Sequence, residues 1–338
     1  MEGLEEQLLI ACQNGDIEEV KQLLNNNPQM NISCANKKGW TPLHYACQNG
    51  HFEMVKLLTS FHKDDRKEAN SSKPFLFVNR LIGPIRKVLF NNGDDNERSY
   101  LNKEDGSGWT PFWIACQIGN FEIVKLLLSD ERVDINKSDI DGATPFWIIC
   151  KQGHTEIAKL LLNDERIDIN QADNLGITPL QIACNYNQIG IVKLLLNDEK
   201  IEINKANNRG STALYLACYY VYIEIVKLLL NEKELDVNQG GDNGVTPFYY
   251  ACEKGNIEII KLLLNDQRVN INKENKNGST PLYIACEKGH IEIVESILRS
   301  GMNVNLNAKK DGKTAIDIAR EKGNMNIVEL LESFERNP

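Results

Sequence analysis

Short blocks of hydrophobic residues alternate with polar loops along most of the chain. In one copy, residues 146–150 and 157–161 place apolar side chains at the spacing of one helical face. Thr144 and Pro145 precede the first block, as a helix N-cap and a first-turn residue that needs no N–H. Gly153 follows it, where a helix end often requires a positive φ. The pattern therefore predicts a pair of short helices joined by a tight loop.

The same pattern recurs with a period of 34 residues. The threonines that open successive first helices are Thr110, Thr144, Thr178, Thr212, Thr246, Thr280 and Thr314. A single helix pair cannot bury both of its apolar faces, whereas a stack of neighbouring pairs can. The period therefore predicts an all-α solenoid.

Three segments recur in most copies, and in one copy they are Gly39 to Cys47 (GWTPLHYAC), Gly50-His51 and Val55 to Leu58. In these segments, and across residues 4–59 and 101–335, the chain resembles the ankyrin-repeat family. The resemblance implies an ankyrin-repeat solenoid of about ten stacked helix–loop–helix units. It also implies β-hairpin-like fingers that project at about a right angle to the helices.

The repeat period divides the chain into five parts. We expect an N-terminal capping repeat at 1–37, a repeat at 38–70, a degenerate repeat with a loop insertion at 71–105, six regular repeats at 108–311, and a C-terminal capping repeat and tail at 312–338. These parts form one array rather than separate globular domains.

The degenerate repeat is the least regular of these parts. Residues 74–78 align with residues 111–115, and 85–91 align with 123–129, which favours a hidden repeat. The alternative is a disordered excursion from the array. If this repeat stacks poorly, Phe75 and Phe77 are candidates for a docking patch or a hinge.

The net charge of -9 and the pI of about 5.3 bear on the class of partner. Phosphate binding needs clustered Lys and Arg, so the charge argues against nucleic acid and against an anionic membrane surface. The apolar runs are too short to span a bilayer. The acidic N-terminus, Met1 to Gln7, does not resemble a secretory signal or a transit peptide.

Most of the nine cysteines follow the repeat period. Those at strict intervals of 34 residues are Cys116, Cys150, Cys184, Cys218, Cys252 and Cys286. Equivalent positions in stacked helices lie about 8–10 Å apart, too far for a disulfide. We therefore expect buried thiols in a reducing compartment, and a cytoplasmic protein.

No catalytic or metal-binding signature is present. His44, His51, His154 and His290 stand at repeat positions, and the chain has no His-Glu-x-x-His, Cys-x-x-Cys or phosphate-binding glycine loop. We expect no enzyme activity, no cofactor and no metal. Carboxylates such as those of Asp130 and its equivalents form either a solvated acidic ridge or a cation site.

Aromatic residues occupy the position of His44 in five other units, and Gln181 interrupts the series. They are Trp113, Trp147, Tyr215, Tyr249 and Tyr283. In the ankyrin family this position lies at the base of the fingers, which favours a packing ladder. The alternative is contact with a ligand.

Two adjacent units replace the glycine that ends the first helix, with Asn187 and Val221. Asparagine tolerates the left-handed region but valine does not, so we expect a remodelled loop at 219–222. The tyrosines of these units either anchor a protein partner or fill the space left by the glycine turn. The four tyrosines are Tyr186, Tyr219, Tyr220 and Tyr222.

The resemblance implies that the residues that contact a partner are those that vary between repeats. Leu175 and Arg209, at finger tips, are two such positions. The predicted function is a monomeric protein–protein interaction scaffold or adaptor that binds a partner protein on its concave finger and first-helix surface. The alternatives are a targeting or regulatory module of an enzyme complex and a host-directed effector.

Overall fold

The structure, a computed structural model, describes residues 2–27, 30–60 and 100–336. Over these ranges the chain is helical, with eighteen helices and no strand. The helices fall into two compact units, Met1–Asn174 and Leu175–Pro338. The prediction of an all-α repeat fold is confirmed.

The first unit contains eight described helices. They are α1 Glu2–Asn14, α2 Ile17–Asn26, α3 Pro42–Gln48, α4 Phe52–Ser60, α5 Pro111–Ile118, α6 Phe121–Leu128, α7 Pro145–Gln152 and α8 Thr155–Leu162.

The second unit contains ten described helices. They are α9 Pro179–Asn185, α10 Ile189–Leu196, α11 Ala213–Tyr219, α12 Ile223–Leu230, α13 Pro247–Lys254, α14 Ile257–Leu264, α15 Pro281–Lys288, α16 Ile291–Leu298, α17 Ala315–Glu321 and α18 Met325–Arg336.

From α3 onward, the first helix of each described pair begins after a threonine N-cap, as its sequence predicts. In α7, the Thr144 hydroxyl accepts a hydrogen bond of 3.1 Å from the Trp147 N–H, and Pro145 occupies the first turn. This satisfies one N–H that would otherwise lack a partner at the helix end. Gly153 ends the helix in the left-handed conformation, with φ 78°. The short helices are therefore fixed locally at both ends.

Stacking of neighbouring pairs supplies the core. Within each unit, first helices pack on first helices, as α5 does on α7, and second helices pack on second helices, as α6 does on α8. Ile123, Val124 and Leu127 of α6 are almost wholly buried as a result. Burial of each such side chain contributes about 1.5–3 kcal/mol.

The helix pair α3–α4 packs directly against the pair α5–α6. The Gly106 N–H donates to the Lys38 carbonyl at 2.8 Å, and the Tyr100 hydroxyl donates to the Leu58 carbonyl at 2.5 Å. These contacts hold the two pairs against each other. The expected degenerate repeat at 71–105 lies mostly outside the described residues and stays a prediction.

The fingers are tight turns rather than β-ladders. Asp139 closes one of them: its N–H donates to the Ala143 carbonyl, and its Oδ1 accepts from the Asp141 and Ala143 N–H groups. The Ile140 N–H instead donates to Ser107 of the neighbouring finger, at 3.1 Å. Hydrogen bonds thus run from finger to finger, and the described residues include a single isolated β-bridge, Lys310 with Lys313.

Arginine side chains explain the long loop after several second helices. The Arg268 guanidinium binds both carboxylate oxygens of Asp266 and donates to the Leu230 carbonyl at 2.7 Å. Leu230 is the last residue of α12, where a cation is favourable. Arg166 makes the same link from Asp164 to the end of α6. The side chains of these two aspartates are therefore held by arginine instead of forming a solvated ridge.

Several of the left-handed glycines that end first helices, such as Gly119 and Gly255, accommodate a side chain from the next repeat. A Cβ on Gly255 would lie 2.8 Å from the His290 ring, and one on Gly119 would overlap the His154 ring. The same rings reach back across the interface: His154 Nε2 lies 3.1 Å from the Gln117 carbonyl oxygen. The glycine therefore ends the helix and leaves room for the histidine of the next repeat. We call this glycine–histidine contact the interlock.

We predict that Gly119→Ala destabilises the fold more than Gly323→Ala does. Both residues have a positive φ, of 83° and 76°, but nothing lies within 4 Å of a Cβ on Gly323. The difference in free energy of unfolding should be about 1–3 kcal/mol, the cost of overpacking. Urea denaturation followed by circular dichroism measures it. Equal losses in the two variants, or no recovery on adding His154→Ala to Gly119→Ala, would contradict the interlock.

Candidate protein-binding surface

Asn187 and Val221 occupy the position of the helix-ending glycine and adopt its conformation, with φ of 55° and 62°. The Val221 N–H donates to the Cys218 carbonyl at 3.3 Å. In a regular repeat further along, the Gly289 N–H donates to the Cys286 carbonyl at the same distance. The prediction of a remodelled loop at 219–222 is therefore wrong. The hydrogen bonds and packing of the repeat hold valine in a glycine conformation.

This conformation is costly for a β-branched residue, by about 1–3 kcal/mol. The Val221 side chain is also exposed, so its burial does not offset the strain. The facing residue of the next repeat is Asn256 for Val221 and Tyr222 for Asn187. Gly119 and Gly255 face a histidine, whereas Gly50 faces Asn120. The glycine–histidine contact is therefore absent at both Val221 and Asn187.

Three of the predicted tyrosines lie together at the end of α11. The Tyr219 and Tyr220 rings meet edge to face at 4.8 Å between centroids, and the Tyr220 and Tyr222 rings stack at 5.7 Å. Tyr219 also stacks on Tyr250 of α13 at 5.1 Å, and Tyr250 contacts Tyr215 at 5.5 Å. We call these five residues the tyrosine cluster.

The tyrosine cluster has a buried base and an exposed rim. Tyr250 is buried, whereas Tyr219 and Tyr220 expose 46% and 43% of their surface. Burial raises the pKa of Tyr250 to about 12, with smaller contributions from Tyr219, Tyr215 and Glu253. Its phenol therefore keeps its proton at neutral pH. The Lys254 ammonium lies 5.4 Å from the Tyr250 ring centroid, so the rim also carries a cation.

The other predicted site residues lie on separate elements. Tyr186 follows the last residue of α9 and is exposed. Leu175 and Arg209 stand at two finger tips, and their carbonyls accept hydrogen bonds from the next finger along. Phe75 and Phe77 fall outside the described residues, so their role as a patch or hinge stays a prediction.

Sequence reasoning missed Tyr250 altogether and placed Tyr215 in the packing ladder. One signal was available for Tyr250, since the equivalent position carries an aliphatic residue in most other repeats and another tyrosine only at Tyr45. The aliphatic residues include Ile114, Ile148, Ile182, Leu216 and Ile284. An aromatic at an aliphatic position, next to a unit rich in tyrosine, is the feature that finds the cluster.

The rest of the aromatic series packs between units, as the favoured interpretation has it. Trp113, Trp147, Tyr249 and Tyr283 are buried. The Trp113 indole N–H donates to the Ala143 carbonyl at the base of the next finger, at 3.0 Å. Tyr215 differs, because it is half-buried and belongs to the tyrosine cluster.

Potential metal ligands are dispersed over the described residues. No three His, Cys, Asp or Glu side chains gather there into a group that could hold a metal ion. All nine cysteines are free and buried, and burial raises the pKa of Cys12 to about 12 and that of Cys34 to about 11. No helix in the described ranges has the length and apolar character needed to cross a membrane.

A family model of ankyrin repeats matches most of the chain. The matched residues are 5–73, 77–173, 112–207, 165–240, 199–275 and 267–337. The chain belongs to the ankyrin-repeat family. Ankyrin repeats generally mediate protein–protein interaction and are typically not enzymes.

Three ankyrin relatives illustrate the range of proteins that carry such repeats. The chain is 38% identical over 72 residues, 21% of its length, to the mouse 2-5A-dependent ribonuclease. It is 32% identical over 130 residues, 36% of its length, to an ankyrin repeat protein of fowlpox virus, and 30% identical over 117 residues, 35% of its length, to the 26S proteasome regulatory subunit p28 of Saccharomyces cerevisiae. The alignments span 10%, 36% and 36% of these relatives, respectively.

We predict that Val221→Gly stabilises the ankyrin array by about 0.5–2 kcal/mol. Glycine relieves the strain of the left-handed valine, and its greater freedom in the unfolded chain offsets part of the gain. Asn187→Gly is the matched control, and it should change stability by less than about 0.5 kcal/mol because asparagine tolerates this conformation. Urea titration compares the two variants. A loss of stability in Val221→Gly would mean that the valine side chain supports the fold.

Proposed function

We propose that this ankyrin array is a scaffold or adaptor that binds another protein, and that the tyrosine cluster is its principal contact. One observation carries the proposal: exposed, mutually stacked rings surround a strained residue that the fold does not require. Strain of this kind concentrates at functional sites. Tyrosine is also enriched among interface residues that dominate affinity, because its ring is rigid and amphipathic.

The geometry of the tyrosine cluster supports protein binding. Tyr250 fixes Tyr219 from below, so little side-chain entropy remains to be lost when Tyr219 contacts a partner. The rim offers hydroxyl groups together with charge from Glu253 and Lys254. A partner surface that pairs an apolar centre with polar edges fits this arrangement.

Two further features of the array agree with this function. Leu175 and Arg209 present side chains at successive finger tips, where exposure is high. The nine free, buried thiols support a protein that works in a reducing compartment, and we propose the cytoplasm. The net charge of -9 favours a partner with complementary basic regions over nucleic acid or an anionic membrane.

A regulatory role within an enzyme complex remains the second candidate. It is favoured by the yeast relative, which is named as a regulatory subunit of the proteasome. A binding surface on this chain would serve that role equally well. The two candidates differ in what the partner is, so identification of the captured protein separates them.

The test begins with affinity capture of the partner by the full chain, followed by titration of the purified partner. Tyr219→Ala and Tyr220→Ala should each weaken binding about tenfold or more, as expected of residues central to an interface. Tyr219→Phe should retain most of the affinity, because it keeps the ring. Thermal unfolding verifies that each variant is folded.

Glu287→Ala and Lys288→Ala are the matched controls. They stand at the same repeat positions as Tyr219 and Tyr220, two units further along. Both should leave the affinity within about threefold of that of the unaltered chain. Equal binding by the tyrosine variants and the controls would reject the tyrosine cluster as the contact.

A further inference from the structure

A cavity of about 480 Å³ lies in the first unit, between the fingers at 36–40 and 105–109, and it opens to solvent. Its walls are aromatic and charged: Trp40, Tyr45, Trp109, Asp105, Lys38 and Asn36 line it. The size falls within the range of small-molecule sites. None of these residues belongs to the tyrosine cluster, which lies in the other unit.

The aromatic walls of this cavity are held in place by their own contacts. The Trp40 ring meets the Tyr45 ring edge to face at 5.1 Å, and the Tyr45 hydroxyl accepts a hydrogen bond from Asn36 at 2.8 Å. Trp109 stacks on the buried Trp113 at 4.8 Å between centroids. The cavity is therefore preformed, which lowers the entropy lost on binding.

The Asp105 carboxylate brings a negative charge that the finger turn does not require. Its Oδ1 accepts from the Ser107 and Trp109 N–H groups, which closes the turn. Asn36, Asn207 and Asn275 close their own fingers by the same pair of bonds with a neutral amide oxygen. The charge at Asp105 is therefore available for another role.

The Asp105 carboxylate lies at the edge of the Trp40 ring. The second oxygen of Asp105 accepts a hydrogen bond of 2.8 Å from the Trp40 indole N–H. Indole and phenol faces attract cations, and quaternary ammonium groups are commonly recognised in this way. The Asp105 carboxylate at the edge of the Trp40 ring adds to this attraction.

We propose that the cavity between Trp40, Tyr45 and Trp109 binds an organic ammonium group, with Asp105 as its counter-charge. The faces of the rings contact the substituents on the nitrogen, and the carboxylate balances its charge. The group is either free, as in choline, or borne on a methylated lysine of a peptide.

Lys38 is the one lining residue that opposes a cation. Its side chain is exposed, so its ammonium turns to solvent when the cavity fills. It nevertheless raises the local potential. Asp105 and Lys38 must therefore affect a cationic ligand in opposite directions, and an anionic ligand in the reverse directions.

The indole N–H groups provide the readout. The chain has four tryptophans, and all four lie in the first unit. Choline chloride, titrated at constant ionic strength against sodium chloride, should shift the Trp40 and Trp109 indole resonances and saturate with a dissociation constant on the order of millimolar. The Trp147 resonance should stay unmoved. An absence of saturable shifts at Trp40 and Trp109 with every ammonium probe overturns the proposal.

Variants then test the charges. Asp105→Asn should weaken binding about fivefold, the effect of a unit charge at 4 Å in water, while the finger stays folded as it does with Asn36. Lys38→Gln should strengthen binding, and Trp40→Leu should abolish it. Tighter binding by Asp105→Asn, or weaker binding by Lys38→Gln, would overturn the assignment to a cation.

A peptide arm separates the two sources of the ammonium group. A glycine-flanked peptide with one trimethylated lysine is compared with the same peptide carrying leucine. Tighter binding of the trimethylated peptide than of choline assigns the cavity to a peptide, and the reverse assigns it to a free small molecule. Either result supports the proposal, whereas equal shifts with the leucine peptide contradict it.

Discussion

The close approach of successive helix pairs depends on one backbone position, the left-handed residue that ends each first helix. A glycine there closes the helix and leaves room for the next unit, as Gly255 does for the His290 ring. Neither helix pair can bury its apolar faces without that approach, since the core lies between pairs. The caps, the cysteine period and the finger-to-finger hydrogen bonds all follow from holding neighbours in this register.

The two repeats that lack the helix-ending glycine, and carry Asn187 and Val221 instead, show how strong this constraint is. Val221 takes the glycine conformation with φ 62° instead of altering the loop. The hydrogen bonds of the turn and the packing of α11 outweigh a local strain of about 1–3 kcal/mol. The proposed binding function accounts for a strained residue that the fold does not require, beside exposed stacked tyrosines. The same reasoning applies to Asp105, whose charge exceeds what its turn requires.

The regular part of the fold was predictable because its signals are local. Thr144, Pro145 and Gly153 determine the ends of their helix from neighbouring backbone groups alone. The helix pair that packs against α3–α4 was not predictable in the same way. Thr41 and Thr110 are 69 residues apart, and spacing along the sequence does not show which helix pairs are in contact.

The candidate site was partly predictable. The loss of glycine at Val221 and the tyrosines beside it pointed to the candidate surface. Strain was expected to change the backbone there, but the surrounding hydrogen bonds and packing hold the valine in the glycine conformation. Tyr250 and the cavity beside Trp40 were not predicted, because they depend on which residues of different repeats contact each other in the folded protein. The positions that vary between repeats hold this information, and only the three-dimensional arrangement shows how they combine.

We propose that the irregular residues at 187 and 219–222 serve to bind a partner and do not stabilise the fold. This proposal is tested by restoring the regular residues, with Tyr219→Glu, Tyr220→Lys, Val221→Gly and Tyr222→His, together with Asn187→Gly. The first four are the residues that stand at 287–290. Titration of the captured partner and urea unfolding are measured on the same variant. We expect an unfolding midpoint equal to or above that of the unaltered chain and a loss of affinity of about tenfold or more. A variant that unfolds more easily, or one that binds the partner unchanged, would contradict it.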